Sequence, residues 1–290
     1  MLPLSQSHLS LLDTCARRYE YVFFDSLTGP SSYEQHAKTQ WGSQFHLLMQ
    51  QRALNLPVEA LAQVDTEMSA SLSALQVAAP EVFEHLPETR PHTFSQSEHR
   101  RTLAFNGYLL TAVYDLVVIQ SASNRLAKNK NQGLIFDWKT HQQPPPQAQL
   151  KRDWQTRLYR YLLCETSELS PDEIAMTYWF VRLSKNGAQS ARSQPNDKPD
   201  FYKFSYSIAE HEQTQHDLQM LTNQLSEMRE ATHFPKVAIE KGVCDRCPFN
   251  VRCDRQPANQ ATLLSPTPHS YQLLKTARQL SVENIPEMPL

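Results

Sequence analysis

Apolar residues recur at helical spacing from the head of the chain. Leu9, Leu12, Tyr19 and Phe23 fall on one face of a helix expected over Leu4 to Phe24, with Ser5 or Ser7 as its cap. A second periodic stretch, about Thr39 to Leu54, carries Trp41, Phe45, Leu48 and Met49, and a third covers about Glu59 to Val77. Prolines break Pro80 to Pro91, which reads as a loop. The pattern then turns strand-like over Thr93 to Arg101, Tyr108 to Ile119 and Leu134 to Lys139. Leu-Val-Val-Ile at 116–119 and Leu-Ile-Phe at 134–136 read as buried strands. Ser121 to Gly133, rich in Ser, Asn and Lys, is a hairpin loop between them. After Pro144-Pro145-Pro146 the pattern predicts a helix over Gln149 to Glu165, a strand over Ile174 to Leu183 and a polar loop. A strand over Phe201 to Ser207 and a long helix over Ala209 to Ala231 complete the series. From about Gln256 the chain is a polar, proline-punctuated tail with one short helix. This order predicts an α/β domain with a mixed, mostly antiparallel sheet.

Composition changes the picture little. Of 290 residues 40% are hydrophobic, and 19 prolines outnumber 6 glycines, which suits a folded core with large polar loops. The formal charge of −2 argues against a broad basic face but leaves room for a local basic groove. There is no apolar run of about eighteen residues and no signal-peptide pattern, so a cytoplasmic protein with no membrane partner is expected. In a reducing compartment, clustered cysteines favour metal over disulfides.

Chemistry first appears at Ile135-Phe136-Asp137-Trp138-Lys139-Thr140. Residues two apart on a strand share a face, so Asp137 and Lys139 point one way and Phe136 and Trp138 the other. A carboxylate there can hold a hard cation, and cation and lysine together can activate a water. Asp115, in the apolar run Tyr114-Asp115-Leu116-Val117-Val118, can converge on the same ion if the two strands pair. An isolated Asp-x-Lys is more often a solvated ion pair; a second acid set in a neighbouring buried strand evens the balance. On the second helix, Gly42-Ser43-Gln44-Phe45-His46 places a histidine four residues after a glycine. Gln155 and Tyr159 lie one turn apart, and Arg152, Arg157 and Arg160 nearby suit a nucleic-acid backbone. Taken singly, each of these is ordinary for an amphipathic helix.

Cys244, Cys247 and Cys253 form a C-x₂-C-x₅-C run that needs a fourth ligand. Cys15 and Cys164 are the candidates, and Cys164, within Tyr161-Leu162-Leu163-Cys164, reads as a small buried thiol. Spacing alone admits zinc or an iron–sulfur cluster. A bridge from Cys15 to the trio would close a long loop and stabilise the fold.

Taken in order, Cys15, Gly42-x-x-x-His46, Asp115, Asp137-Trp138-Lys139, Gln155-x-x-x-Tyr159 and the Cys244/Cys247/Cys253 trio resemble the RecB-like branch of the PD-(D/E)XK nuclease superfamily. The likeness extends to its iron–sulfur members, such as the AddB nuclease domain and CRISPR-associated spacer-acquisition nucleases. The resemblance implies a restriction-endonuclease-like core over residues 36–231. It implies an iron–sulfur region joining residues 1–35 to 232–256, and a tail over 257–290. His46, Asp115, Asp137 and the Trp138 carbonyl would bind Mg²⁺ or Mn²⁺, with Asp115, Asp137 and Lys139 catalytic. Gln155 and Tyr159 would position DNA or support the site, and Cys15, Cys244, Cys247 and Cys253 would ligate a [4Fe–4S] cluster. The expected activity is hydrolysis of DNA phosphodiesters, as an exonuclease on single-stranded ends in repair or recombination. The partner would be DNA, with a separate helicase or repair protein. Ala16 stands where the family often has proline and Ala112 where it often has glycine; neither change removes a reactive group. The alternative is a non-catalytic, metal-stapled nucleic-acid-binding or assembly module, for which the acid–acid–lysine set has no use.

Overall fold

A computed structural model describes residues 1–29, 33–58, 65–83, 93–121, 131–141, 144–181 and 199–255. Most of the expected 121–133 loop, residues 59–64 of the expected third helix, the polar loop after the fifth strand and the tail lie outside these. The chain forms two compact units, Met1–Pro235 and Lys236–Leu290.

The single helix expected over Leu4 to Phe24 is a short strand and two helices, β1 (Leu2–Leu4), α1 (Gln6–Thr14) and α2 (Ala16–Phe23). Ser5 is the N-cap of α1. Cys15, extended at φ −164° and ψ 111°, ends α1 and starts α2. Helical α3 (Tyr33–Ala53) and α4 (Thr66–Ala78) follow, the latter capped by the Asp65 carboxylate, which accepts from Glu67 N at 2.8 Å. The expected loop at Pro80 opens as a helical turn, α5 (Pro80–Phe83).

Strands β2 (Thr93–Phe105) and β3 (Tyr108–Gln120) are a hairpin, joined through Asn106 and Gly107 at φ 46° and 82°. Two positive φ values make the tight turn whose twist matches antiparallel strands. β2 pairs with β3 from Thr93 to Phe105, except at Glu98. On β3's other edge, β1 pairs in parallel at Tyr108–Leu110, and β4 (Gln132–Lys139) pairs antiparallel from Leu116 to Gln120. β5 (Ile174–Phe180) continues parallel to β4, and β6 (Asp200–Ser205) closes the sheet antiparallel to β5. The expected helix over Gln149 to Glu165 is two, α6 (Gln147–Arg152) and α7 (Trp154–Glu165). Asp153 ends the first and caps the second, accepting from Gln155 N at 3.1 Å. α8 (Ile208–Glu230) is the long last helix of this unit.

Each face of the sheet carries a core. Leu9, Leu12 and Tyr19 from α1 and α2, Leu158 and Leu162 from α7 and Leu218 and Leu225 from α8 pack on one face. Trp41, Phe45 and Leu48 from α3 and Leu72 and Leu75 from α4 pack with Phe136 and Trp138 on the other. The expected alternation along β4 is therefore observed. In β3 it shifts by one at Asp115: Tyr108, Leu110, Ala112 and Tyr114 join the first core, then Leu116 and Val118 join the second.

In the second unit, Ile239–Lys241 is a 3-10 turn ended by Gly242 in the left-handed region at φ 66°. Cys247 N donates to Cys244 O at 3.0 Å, and Cys253 N to Phe249 O at 3.0 Å, so the cysteine segment is built of consecutive tight turns. Lys236 Nζ holds the Cys253 carbonyl at 2.9 Å.

Candidate active site

The β3–β4 ladder stops at Leu116 and Phe136, one residue short of Asp115 and Asp137. Where a ladder bond would continue, Trp138 N donates instead to Asp115 Oδ2 at 2.7 Å. The strands thus part where the two acids stand. The β2–β3 ladder also skips the pair Glu98 and Asp115, and Glu98 sits at φ 50° in mid-strand. A non-glycine residue in that region costs of the order of 1 kcal/mol and tends to mark functional sites. Ser97 Oγ donates to the Asp115 carbonyl at 2.7 Å beside the skipped pair.

His46 reaches the gap from α3. Its Nδ1 is 3.3 Å from Asp115 Oδ1, and its Nε2 is 3.0 Å from the Trp138 carbonyl oxygen. Gly42 makes this approach possible, since a Cβ there would stand 2.7 Å from Thr140 Oγ1 at the end of β4. The glycine and histidine of the Gly42-x-x-x-His46 spacing therefore have distinct jobs, clearance and contact.

Asp137, only 3% exposed, faces α7. Its Oδ2 is 2.8 Å from Lys139 Nζ. Gln155 completes a ring, its Oε1 accepting from Lys139 Nζ at 2.6 Å and its Nε2 donating to Asp137 Oδ1 at 2.6 Å. The ammonium also lies 4.9 Å from the centre of the Tyr178 ring. Tyr159, buried near both acids with its phenol bonded to Gln155 and the Val113 backbone, has its hydroxyl pKa pushed far above the ordinary value. Its own carbonyl accepts from Tyr114 Oη at 3.0 Å.

The structure thus brings together His46, Asp115, Asp137, Trp138, Lys139, Gln155 and Tyr159. It withdraws two of the three arginines read as phosphate contacts. Arg160 is buried, donating to the Thr156 and Ser205 carbonyls, and Arg157 is paired with Asp217. It adds Glu98, which lines one cleft with His46, Asp115 and Thr140. Ligand atoms of His46, Glu98 and Asp115 all lie within 4.8 Å of one another.

Burial, and then Asp137, raise the Asp115 carboxyl pKa, outweighing the His46 and Trp138 N–H contacts that lower it. Burial and Asp115 likewise raise that of Glu98. Burial opposes a charge on His46, but its hydrogen bond to Asp115 and the Asp115, Asp137 and Glu98 charges outweigh it and hold the imidazole's proton to higher pH. Acids crowded in a buried place leave negative charge to be neutralised. Carboxylates, a carbonyl and an imidazole fit a hard divalent cation. Among the described residues no helix is long and apolar enough to cross a membrane.

Two solved structures are similar, each at 12% identity. One is the crystal structure of SSO0001, covering 88% of this chain and 87% of its own, with a TM-score of 0.34. The other is the "Putative exonuclease" of Eubacterium rectale, covering 91% and 93%, with a TM-score of 0.41. No curated protein matches the sequence. The model of the PD-(D/E)XK nuclease superfamily matches residues 3–254, nearly the whole described chain, and the chain belongs to that superfamily.

Proposed function

We propose that this nuclease is a Mg²⁺- or Mn²⁺-dependent deoxyribonuclease that works as an exonuclease on single-stranded DNA ends in repair or recombination. The observation that carries the reading is the meeting of Asp115, Asp137 and Lys139 where β3 and β4 part. Asp115, Asp137, His46 and the Trp138 carbonyl would hold the cation, with Glu98 alongside. When bound, the cation supplies Lewis acidity at the phosphate and a more acidic water. Lys139, held by Asp137 and Gln155, presents its ammonium to the attacking water and to charge developing on the phosphate. Water oxygen bonds to phosphorus as the P–O ester bond breaks, and the leaving oxygen takes a proton. Tyr159 and Gln155 brace the acids from α7. Single-stranded ends are favoured because a chain of net charge −2 suits a narrow channel better than a broad duplex-binding face.

Cys15, Cys244, Cys247 and Cys253 are assigned to a [4Fe–4S] cluster, by resemblance. All are half-buried and free of disulfides, as thiolate ligands must be. A separate helicase or repair protein would supply any unwinding.

The test is Mg²⁺-dependent cleavage of end-labelled single strands by Asp137→Ala. Cleavage should vanish while the visible absorbance of the cluster persists. Full activity in that variant would sink the nuclease assignment. Equal rates on RNA would move the substrate without touching the chemistry.

A further inference from the structure

A second group of potential ligands lies at the far end of α7, away from the acids. Cys164 and Glu165 are its last residues, and His211 stands in the first turns of α8. One ligand atom from each lies within 4.8 Å of the other two. Around a tetrahedral zinc with bonds of about 2.0–2.3 Å, ligand atoms stand about 3.3–3.8 Å apart, so the three need close by at most about 1.5 Å.

The histidine is already oriented for the task. Its Nδ1 lies 3.1 Å from Tyr206 Oη, and its ring stacks on Tyr161 at 4.8 Å. A Tyr206 oxygen that accepts the Nδ1 proton leaves the Nε2 lone pair to bind a metal, the usual way an outer contact sets a ligand tautomer. Nε2 faces Glu165 Oε1 at 3.1 Å. Cys164 Sγ, half-buried, donates to the Leu169 carbonyl at 3.4 Å. Burial and the nearby Glu165 push the free thiol up to about 11, so it is protonated until a metal displaces the proton to water. One sulfur, one nitrogen and one carboxylate oxygen suit zinc and disfavour Mg²⁺.

We propose that Cys164, Glu165 and His211 form a zinc site, with water in the fourth position, that ties the last turn of α7 to the first turns of α8. The site is independent of the nuclease reading, because it uses none of that site's residues.

The test is residue-specific, since the other cysteines can also take metal. Full-length protein is alkylated with iodoacetamide with and without micromolar Zn²⁺, and modification at Cys164 is read by peptide mass spectrometry. Zinc content per chain is measured on the same samples after gel filtration. Zn²⁺ should slow labelling of Cys164 tenfold or more, and Mg²⁺ should not. The protection should disappear in His211→Gln and weaken in Glu165→Gln, whose side chain is too exposed to be needed for folding. Cys164→Ser should hold one zinc fewer per chain than wild type. Equal zinc content in wild type and Cys164→Ser, or equal protection in His211→Gln, would overturn the site. It would leave a half-buried thiol beside a His–Glu pair.

Discussion

Gln155 is one neutral amide serving two opposite charges. Its oxygen accepts from Lys139 and its nitrogen donates to Asp137, so it fixes the distance between acid and ammonium without adding charge. Gln155→Ala should slow cleavage on the order of 10²-fold, the usual cost of losing one oriented polar contact in an active site, with little change in Tm. Initial rates and a melting curve on the same samples check this. Acidity offers a second measurement. His46 and Asp115 both hold protons to higher pH than free groups do, and a cation must displace those protons. Affinity for Mn²⁺ should therefore fall as pH drops past the raised pKa of each group, by about tenfold per pH unit for each proton displaced. Calorimetric titration across those values decides it, and a flat profile would mean that the ion binds elsewhere. His46, Asp115, Asp137, Lys139, Gln155 and Tyr159 are each ordinary singly and are picked out in the sequence by their order and the resemblance it carries; the structure brings the six side chains into one neighbourhood. Glu98 is not picked out in the sequence. It lies in the polar run Ser97-Glu98-His99-Arg100, where nothing local sets it apart, and only its φ of 50° and its place opposite Asp115 do so. Arg160 misled in the opposite direction: a charged residue on an amphipathic helix is expected in solvent, yet here carbonyl oxygens bury it.

Among the elements, the contact of α3 with the end of β4 sets the reach of His46. Gly42→Ala would place a methyl 2.7 Å from Thr140 Oγ1, so helix or strand must yield. The substitution should cost about 1–3 kcal/mol, typical of overpacking, and should lower cleavage by carrying His46 away from the Trp138 carbonyl. Adding Thr140→Ala removes the clashing oxygen and should restore most of both losses. A double-mutant cycle in urea and in cleavage rate measures this, and additive losses would show that Gly42 matters for another reason. Element types were legible because the hydrophobic period changes clearly between helices and strands. Element breaks were hidden where the period runs through them. Cys15 and Asp153 each interrupt a pattern that stays apolar on one side, so backbone angles and a cap carry the break while burial does not. β1 was missed because three residues are too few to show alternation.

Across the molecule, the candidate active site lies in the first unit, and three of the four cysteines proposed as cluster ligands lie in the second. If the cluster fastens the chain and takes no part in cutting, Cys244→Ser should lose the iron absorbance and several degrees of Tm. It should still cleave near the wild-type rate at low temperature. Loss of cleavage at every temperature, in protein shown by circular dichroism to be folded, would give the cluster a direct role. Substitution scanning would miss another part of this molecule. The Trp138 main chain meets Asp115 through its N–H and His46 through its C=O, two contacts on adjacent peptide groups. Exchanging the indole would test its packing against Phe136 while leaving both contacts in place. Position 138 can therefore vary among sequences while the connection persists, inherited with the strand instead of with a residue type. Removing the contact to Asp115 takes an ester in place of the Trp138 amide, and a map of tolerated substitutions would mark as permissive a position on whose main chain two residues of the candidate site depend.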